Sequence, residues 1–402
     1  MVVVTGPRQI GKSTLVRQVL MERSPSTFRF ISTDQPQSEL ASPFALSIPD
    51  TTAVSTQAIP GAQPTTEWLV RQWQQARIQA ERLENVEQFV FAVDEVQKIP
   101  RWSEVVKGLW DADRASGLNM HVVLLGSSPW LMQKGLTESL AGRFELIRMS
   151  HWSYAEMQEA FDFSLEEFLY FGGYPGGAKL IREERRWRNY IRDALIHPNI
   201  NKDILQMTRV DKPTLLKNLF ELGCSYSGQI ISYTKLQGQL QDAGNTVTLA
   251  HYLDLLSQAG MLVGLPKYAV QQFRRRASSP KLNALNTALI SAIAGYTFAE
   301  ARSDRTYWGR LVESAVGAHL CNTASDTCQI YYWRESSNEV DFVLTSGPKM
   351  IAIEVKSSAT FASPKGLGIF TGKFTQARPM VIGEGQQSLA EFFLQPAEFW
   401  LE

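Results

Sequence analysis

Near the start of the chain, a glycine is followed by four residues and then by Gly-Lys-Ser. A glycine-rich loop can bend so that successive backbone N–H groups point at one phosphate. The lysine that follows can reach the terminal phosphates of a nucleotide, and the serine hydroxyl can bind Mg²⁺. The spacing therefore predicts a site for ATP and Mg²⁺, with Ser13 as a magnesium ligand. The residues expected to form it are Gly6, Pro7, Arg8, Gln9, Ile10, Gly11, Lys12, Ser13 and Thr14.

The sequence on either side of this loop indicates the two elements that must position it. Residues 2–4 are a short apolar run typical of a buried strand, and apolar residues recur at helical spacing between Ser13 and Met21. A phosphate loop needs both, because the helix N-terminus adds a positive dipole end. An ordinary strand-to-helix turn is the alternative, and only a second half of the site can exclude it.

An acidic pair at the end of another apolar run supplies this second half. Residues 89–93 have the continuous apolar composition of a central parallel strand, and they lead into Asp94 and Glu95. Carboxylates at such a position are costly unless they line a site. Asp94 is expected to hold Mg²⁺ through water, and Glu95 to orient or deprotonate the attacking water. A further strand, residues 122–125, ends at Gly-Ser-Ser, where a polar side chain could contact the γ-phosphate.

Strands that alternate with helices and end in polar residues predict an α/β domain with a parallel sheet, which we place at residues 1–150. The alternating segment "FRFIST", residues 28–33, predicts another strand, with Asp34 near its end. Residues 41–66 are rich in Pro, Ala, Ser and Thr and carry almost no charge. Their composition predicts a long loop or a poorly ordered insertion.

The overall composition fits a folded protein of several domains. The 402 residues have zero net charge and are 44% hydrophobic, so contact with nucleic acid would need local basic patches. Three cysteines show neither metal-site nor disulfide spacing, which fits a reducing cytoplasm. No apolar run is long enough to span a membrane and no signal peptide is evident, so we expect a cytoplasmic protein without a membrane partner. The abrupt start raises the expectation of a natural start codon upstream.

The middle of the chain predicts two helical regions. Residues 151–207 are expected to form a helical lid, and five arginines in "IREERRWRNYIRD" form either a phosphate or subunit contact surface or a solvated face paired with interleaved acids. Ser232 is a good N-cap for the next helix. Two helices followed by two short strands in "MLVGLPKYAVQQF" predict a winged helix-turn-helix at residues 208–272, which either docks on DNA or packs within the protein. Arg274-Arg275-Arg276 is a cationic cluster or a solvated linker.

The last third brings acidic residues into a predicted hairpin. Two alternating strands, "NEVDFVLTSG" and "KMIAIEVKSS", meet at a turn, and their alternation places Asp341, Glu354 and Lys356 away from the apolar face. Glu313 lies in an apolar helix before them. Three carboxylates suit Mg²⁺ as ligands, and Lys356 could stabilise a hydroxide or a developing negative charge. Outward Asp, Glu and Lys residues are also ordinary on a solvated sheet face.

Three segments, "GPRQIGKSTL", "VDEVQKIPRWSEVVKGLWD" and "LLGSSPWLMQKGLTESLAGRFE", resemble bacterial and archaeal AAA+ ATPases that carry a C-terminal domain of unknown function. The resemblance continues from "FGGYP" at residues 171–175 to about residue 356. It implies that Ser127 or Ser128 takes the sensor-1 position. It also implies that Arg143 is an arginine finger toward a neighbouring subunit of a homo-oligomer. Judged alone, Arg143 is typical of a surface salt-bridge residue, so both interpretations stay open.

The hairpin resembles the core of PD-(D/E)XK nucleases. Asp341 matches the first acidic position, Glu354-Val355-Lys356 matches the acidic-x-Lys position, and Glu313 matches the helix carboxylate. The resemblance implies an α/β nuclease-like domain at residues 273–402, active or inactive. Two functions remain open for the whole chain: an ATP-hydrolysing enzyme that processes nucleic acid such as DNA, or a nucleotide-switched regulatory or binding module with an inactive nuclease-like domain.

Overall fold

The computed structural model describes residues 1–34, 64–83, 88–127, 129–205, 210–241, 244–269, 278–356, 365–383 and 387–402. Most of the predicted insertion, the alternative sensor Ser128 and the cluster Arg274–276 lie outside these described residues. The chain divides into two compact units, residues 1–149 and residues 150–402. Among the described helices, none combines the length and the apolar composition that crossing a membrane requires.

The amino-terminal unit is a parallel α/β sheet. Its five strands are ordered β2-β3-β4-β1-β5, and every neighbouring pair is parallel, as the alternation of strands and helices predicts. The strands are β1 (Val2–Thr5), β2 (Phe28–Ser32), β3 (Phe89–Asp94), β4 (Met120–Gly126) and β5 (Glu145–Arg148). The helices are α1 (Lys12–Met21), α2 (Thr66–Glu81), α3 (Trp102–Ser116) and α4 (Pro129–Ser139), with 3₁₀ turns at Pro25–Thr27 and Val96–Lys98.

The core of this unit forms between the sheet and helices α2 and α3. Trp73 is fully buried, packs edge-on against Phe91 at 5.4 Å between ring centroids, and donates its indole N–H to Asp113 at 2.7 Å. Arg77 pairs with the same carboxylate at 2.6 Å, so the buried charge is matched. This packing covers β3, an interior strand of the sheet, which ends at Asp94 with Glu95 directly after it.

The carboxyl-terminal unit begins with helices and ends with a mixed sheet. Its α-helices are α5 (Tyr154–Phe161), α6 (Leu165–Phe171), α7 (Glu184–Tyr190), α8 (Pro213–Ser225), α9 (Tyr233–Gln239), α10 (Thr246–Gln258), α11 (Thr287–Ala294), α12 (Phe298–Ser303), α13 (Arg305–Thr323), α14 (Lys365–Lys373) and α15 (Leu389–Phe393). Two π-helical segments, Ile191–Ile196 and Asn199–Ile204, follow α7, and 3₁₀ turns occur at Pro175–Leu180 and Ala397–Leu401. The strands are β6 (Leu262–Leu265), β7 (Lys281–Ala284), β8 (Gln329–Glu335), β9 (Asn338–Ser346), β10 (Lys349–Lys356) and β11 (Ala377–Gly383).

The predicted acidic hairpin is present as β9 and β10. The two strands are antiparallel, with Leu344 opposite Ile351 and Phe342 opposite Ile353. They lie inside a four-stranded sheet of order β11-β10-β9-β8, in which β11 is parallel to β10. Successive residues of each strand are buried, such as Val343 with Leu344 and Ala352 with Ile353, whereas Asp341 and Glu354 are partly exposed. The hairpin therefore does not divide into one apolar and one outward face, as its alternation predicted.

The region expected to be a winged helix differs from the prediction in its strands. Helices α9 and α10 form as expected, and Ser232 caps α9 by accepting the Lys235 N–H at 3.1 Å. Within the described residues that follow β6, 266–269, no second strand forms. Strand β6 pairs instead with β7, across the predicted boundary at residue 272, while Lys267 forms an isolated bridge to Tyr332. Apolar pattern alone could not show this, because a strand's partner is set by tertiary contacts.

Glycines in the "FGGYP" segment allow a close backbone approach. Gly172 has φ +69°, and a Cβ there would lie 2.0 Å from Oδ1 of Asn286. The Gly173 N–H donates to the same oxygen at 3.2 Å. The Asn286 amide also lies 3.3 Å from His151 Nδ1, whose Nε2 lies 2.7 Å from the Gly260 carbonyl oxygen. Asn286, the N-cap of α11, therefore links this segment to His151 near the start of the unit.

Candidate functional site

The predicted phosphate loop, residues 6–14, joins β1 to α1 and has the backbone geometry that its glycines permit. A Cβ at Gly6 would lie 2.2 Å from the Met149 carbonyl oxygen, so no larger residue fits there without a shift. Gly11 has φ +91°, a conformation that L-residues with side chains avoid. It stands at the N-cap of α1, where the first N–H groups of the helix receive no side-chain cap. An uncapped helix N-terminus in a glycine loop suits an anion.

Lys12 lies across this loop. Its side chain is 6% exposed, and Nζ donates to the carbonyl oxygens of Gly6 at 3.0 Å and Pro7 at 2.6 Å. The ammonium group is therefore held on the loop that would surround a phosphate.

Ser13 and Asp94 meet at the base of the loop, as the sequence predicted for two magnesium-binding residues. The Ser13 hydroxyl donates to Asp94 Oδ2 at 2.7 Å. The other carboxylate oxygen, Oδ1, is buried and has no hydrogen-bond partner within the described part of the chain. Burial raises the pKa of Asp94, although the hydrogen bond from Ser13 acts in the opposite direction. A hydroxyl beside an unsatisfied carboxylate oxygen is a donor set that fits Mg²⁺.

Glu95 points its carboxylate toward the end of β4. Its backbone has φ +56°, a left-handed conformation uncommon for a residue with a side chain and often found at functional sites. Its Oε2 accepts hydrogen bonds from the Ser127 hydroxyl at 2.9 Å and from Gln97 Nε2 at 2.7 Å. The structure thus brings Ser127 and Glu95 together.

Two residues beside Glu95 were not singled out from the sequence. Gln97 is one, and Lys98 is the other, with Nζ 3.4 Å from Glu95 Oε2 and 2.5 Å from Asp34 Oδ1. The Thr33 hydroxyl donates to the Glu95 carbonyl oxygen at 3.1 Å, which links the end of β2 to the same point. The available signal was their position directly after the acidic pair, in the 3₁₀ turn that follows β3.

Arg143 lies near the amino ends of the strands, whereas the phosphate loop lies at their carboxyl ends. It precedes β5, whose first residue, Glu145, pairs with Val2, whereas the loop follows Thr5. A four-residue strand is about 13 Å long, so Arg143 does not reach the loop of its own chain. Its guanidinium instead makes two hydrogen bonds to the exposed Asp111, at 2.8 and 3.1 Å. The surface salt bridge that the sequence left open is thus present.

The carboxylates of the hairpin are not arranged as the predicted metal site. Among the described residues, no three Asp, Glu, His or Cys side chains are placed to hold a metal ion. The ammonium of Lys281 lies among them instead, 2.5 Å from Glu313 Oε1 and 3.6 Å from Asp341 Oδ1. Glu354 pairs with Lys356 at 2.7 Å. The grouping of Glu313, Asp341 and Glu354 as three metal ligands is therefore corrected: a lysine that the sequence pattern did not indicate lies between two of them.

Comparison with protein families divides the chain into three matched regions. Residues 1–158 match a family model described as an AAA domain. Residues 162–300 and 308–395 match two domains of unknown function, DUF8612 and DUF4143. The nuclease-like interpretation of the last region has no support from these matches.

Similar proteins are distant. Uncharacterized proteins of Mycobacterium bovis and Mycobacterium tuberculosis are each 26% identical over 276 residues, which is 67% of this chain and 59% of theirs. The chain thus spans less than two thirds of the length of these relatives. A Walker-type ATPase of Pyrococcus abyssi has 16% identity and a TM-score of 0.45, covering 73% of this chain and 90% of its own. The family match over residues 1–158, together with the parallel sheet and the loop geometry, supports an AAA-type P-loop ATPase domain in the amino-terminal unit.

Proposed function

We propose that the chain binds ATP with Mg²⁺ at residues 6–14 and hydrolyses it. The observation that carries this proposal is the hydrogen bond between Ser13 and Asp94 at the base of the glycine loop, with the Glu95 carboxylate on the adjacent residue. A strand-to-helix turn without this function would not require a buried carboxylate oxygen without a partner.

Binding would use groups already positioned in the structure. The uncapped N–H groups at the start of α1 would donate to phosphate oxygens, and the Lys12 ammonium would exchange its two carbonyl acceptors for phosphate. Ser13 and Asp94 would hold Mg²⁺, directly and through water respectively. When bound, this ion neutralises charge that develops on the phosphates.

Hydrolysis would depend on Glu95. Its carboxylate would orient the attacking water and accept its proton, which requires the group to be ionised and within hydrogen-bond reach. The hydrogen bonds from Ser127 and Gln97, together with the Lys98 ion pair, restrict the side chain. Ser127 would serve as the polar sensor that contacts the same water or the γ-phosphate.

Arg143 would act on a neighbouring subunit. It lies near the amino ends of the strands, too far from the phosphate loop of its own chain to act there. In a homo-oligomer, it would leave Asp111 and donate to the phosphates held by the next subunit, where an arginine stabilises transition-state charge.

The role of the carboxyl-terminal unit separates two forms of this proposal. An ATP-dependent enzyme acting on DNA would need the carboxylates at residues 313, 341 and 354 to hold a metal. A nucleotide-switched module that binds DNA or a protein would not. The position of Lys281 among these carboxylates favours the second form.

The proposed activity is tested by ATP binding and phosphate release. Wild type should bind an ATP analogue with Mg²⁺ by calorimetry, and Lys12→Ala should not. Lys107→Ala, which removes an exposed lysine on α3, is the matched control and should bind normally. Equal affinity of wild type and Lys12→Ala would contradict the proposal.

The two forms are separated by incubating linear and plasmid DNA with the protein and Mg²⁺ or Mn²⁺. Metal-dependent cleavage that Glu354→Ala abolishes would support the enzyme form. Intact DNA with both proteins, together with ATP-dependent retention of DNA in a binding assay, would support the module form.

A further inference from the structure

The rear carboxylate cluster, defined here as Glu313, Glu339, Asp341 and Glu354, contains a buried cation of the protein's own. Lys281 begins β7, and its side chain is 0% exposed. Its Nζ lies 2.5 Å from Glu313 Oε1, 3.6 Å from Asp341 Oδ1 and 3.8 Å from Glu339 Oε1. A fully buried ammonium is unfavourable unless it is paired, so these ion pairs stabilise the Lys281 side chain in this position.

Lys281 is also held by groups other than carboxylates. It donates to the Asp341 carbonyl oxygen at 3.2 Å and lies 4.8 Å from the centroid of the Phe342 ring. Burial by itself would lower the pKa of Lys281, but the nearby Asp341 and Glu313 outweigh it and raise the pKa. The lysine therefore remains charged at neutral pH.

The other carboxylates of the cluster are only partly engaged, because Glu354 Oε2 is buried and has no hydrogen-bond partner within the described part of the chain. Asp341 Oδ2 accepts the Val355 N–H at 2.8 Å, and Glu354 Oε1 accepts from Lys356 at 2.7 Å. A magnesium ion needs about six oxygen ligands at roughly 2.1 Å, and it would repel an ammonium within contact of the same carboxylates. Glu313 and Asp341 cannot serve both cations at once.

The lysine comes from a different part of the chain from the carboxylates. Lys281 lies in the region matched by one domain of unknown function, residues 162–300, whereas the four carboxylates lie in the region matched by the next, residues 308–395. The presence of Lys281 among the carboxylates thus depends on the position of β7, which pairs with β6 rather than with the hairpin.

We propose that Lys281 takes the place of a divalent cation in the rear carboxylate cluster and excludes Mg²⁺ and Mn²⁺ from it. Metal-dependent chemistry at this hairpin is then prevented for as long as Lys281 occupies its position. The inference concerns the carboxyl-terminal unit alone and does not depend on ATP hydrolysis.

The test is Mn²⁺ binding to the full chain without nucleotide, measured by equilibrium dialysis or electron paramagnetic resonance. Lys281→Met, which keeps most of the side-chain volume and removes the charge, should gain a site that binds Mn²⁺ at least tenfold more tightly than wild type. Lys281→Met with Glu313→Gln should lose that site. Lys281→Arg, which keeps a positive charge, should remain without it. Residues 1–149 are the same in all variants, so any Mn²⁺ bound at the amino-terminal unit cancels in the comparison.

Two results would overturn the proposal. One is a wild-type Mn²⁺ site that Glu313→Gln or Glu354→Gln removes, a comparison that needs no Lys281 variant to fold. The other is a Lys281→Met protein with a native circular dichroism spectrum and no additional Mn²⁺. If Lys281→Met does not fold, Lys281→Gln replaces it, because the amide can keep a hydrogen bond to Glu313, and the same gain or its absence decides.

Discussion

The molecule has two places where acidic residues and a lysine come together, and they differ in what the lysine does. At the phosphate loop, Lys12 bonds to carbonyl oxygens of its own loop, and one oxygen of the buried Asp94 has no partner in the described chain. In the rear carboxylate cluster, Lys281 contacts the carboxylates themselves. Both places have one buried carboxylate oxygen without a partner in the described chain, Oδ1 of Asp94 and Oε2 of Glu354, but only the second holds an ammonium group between its carboxylates.

This difference shows why similar residue types do not imply similar chemistry. A carboxylate can bind a metal only if no other cation satisfies it. At the phosphate loop, Lys12 donates to carbonyl oxygens of the loop, and Asp94 and Glu95 accept from other side chains. In the rear carboxylate cluster, four carboxylates share two lysines, Lys281 and Lys356. Burial, and then the charge of Asp341, raise the pKa of Glu313 and Glu354.

The largest expected effect is on Arg143. If it acts on a neighbouring subunit, Arg143→Ala should slow ATP hydrolysis by about 10³- to 10⁵-fold, because an arginine that stabilises phosphoryl transfer contributes this much. Mixing this variant with Lys12→Ala should restore part of the activity, measured by phosphate release. Asp111→Asn is the control, since it breaks the surface pair and leaves the arginine. Equal losses in both variants, with a monomeric mass, would limit Arg143 to the salt bridge.

Glu95→Gln should reduce turnover by about 10²- to 10⁴-fold while ATP affinity stays near that of wild type, because the amide cannot accept a proton from water. Glu104→Gln, which alters an exposed carboxylate on α3, should have no effect on either quantity. Turnover would be followed by phosphate release and affinity by calorimetry. A Glu95→Gln protein with normal turnover would remove the proposed base.

Lys12→Ala should weaken ATP binding by about 100-fold or more, since charge-assisted hydrogen bonds to phosphate would be lost. Calorimetry measures this change against Lys107→Ala. A comparable loss in the control would indicate a general defect in the unit rather than a role of the loop.

Lys98→Met should slow hydrolysis by about three- to tenfold without changing ATP affinity. The ion pair between Lys98 and Glu95 is 3.4 Å long and mostly shielded, so its contribution is modest. Phosphate release measures the change. Unchanged turnover in Lys98→Met would show that this ion pair does not help to position the Glu95 carboxylate.

The smallest effect concerns the pH dependence of stability in the rear cluster. Burial, and next the charge of Asp341, raise the pKa of Glu313 to about 7. A raised carboxyl pKa contributes stability that is present below the unfolded value, near 4.3, and is lost as the pH rises through 7. Glu313→Gln should therefore reduce the fall in melting temperature between pH 5 and pH 7.5 relative to wild type. An unchanged difference would show that Glu313 does not titrate in this window.

Local sequence pattern indicated the residues of the proposed nucleotide site more readily than the contents of the rear carboxylate cluster. Gly6 to Thr14 are contiguous, and Asp94 and Glu95 end a strand whose apolar run is clear, so local pattern indicates their positions. Ser127 was one of two serines that a resemblance indicated, and its hydroxyl donates to Glu95. Gln97 and Lys98 were missed, although they follow the acidic pair directly.

The rear cluster shows the limit of such reasoning. The β9–β10 hairpin follows from alternation and a turn, both of which are local. Lys281 is 60 residues from Asp341 along the chain and begins a short strand that the pattern did not predict. Its burial depends on tertiary packing, and a lysine in a sequence is expected at the surface. The carboxylates of a cluster can therefore be recognised from local sequence pattern when the lysine that pairs with them cannot.

The most direct test of the contrast is a count of Mn²⁺ bound per chain by equilibrium dialysis, with and without a non-hydrolysable ATP analogue. Wild type should retain one Mn²⁺ when the analogue is present and none without it, and Lys12→Ala should retain none in either case. Tight Mn²⁺ binding without the analogue that Glu313→Gln removes, or no Mn²⁺ with it, would contradict the account.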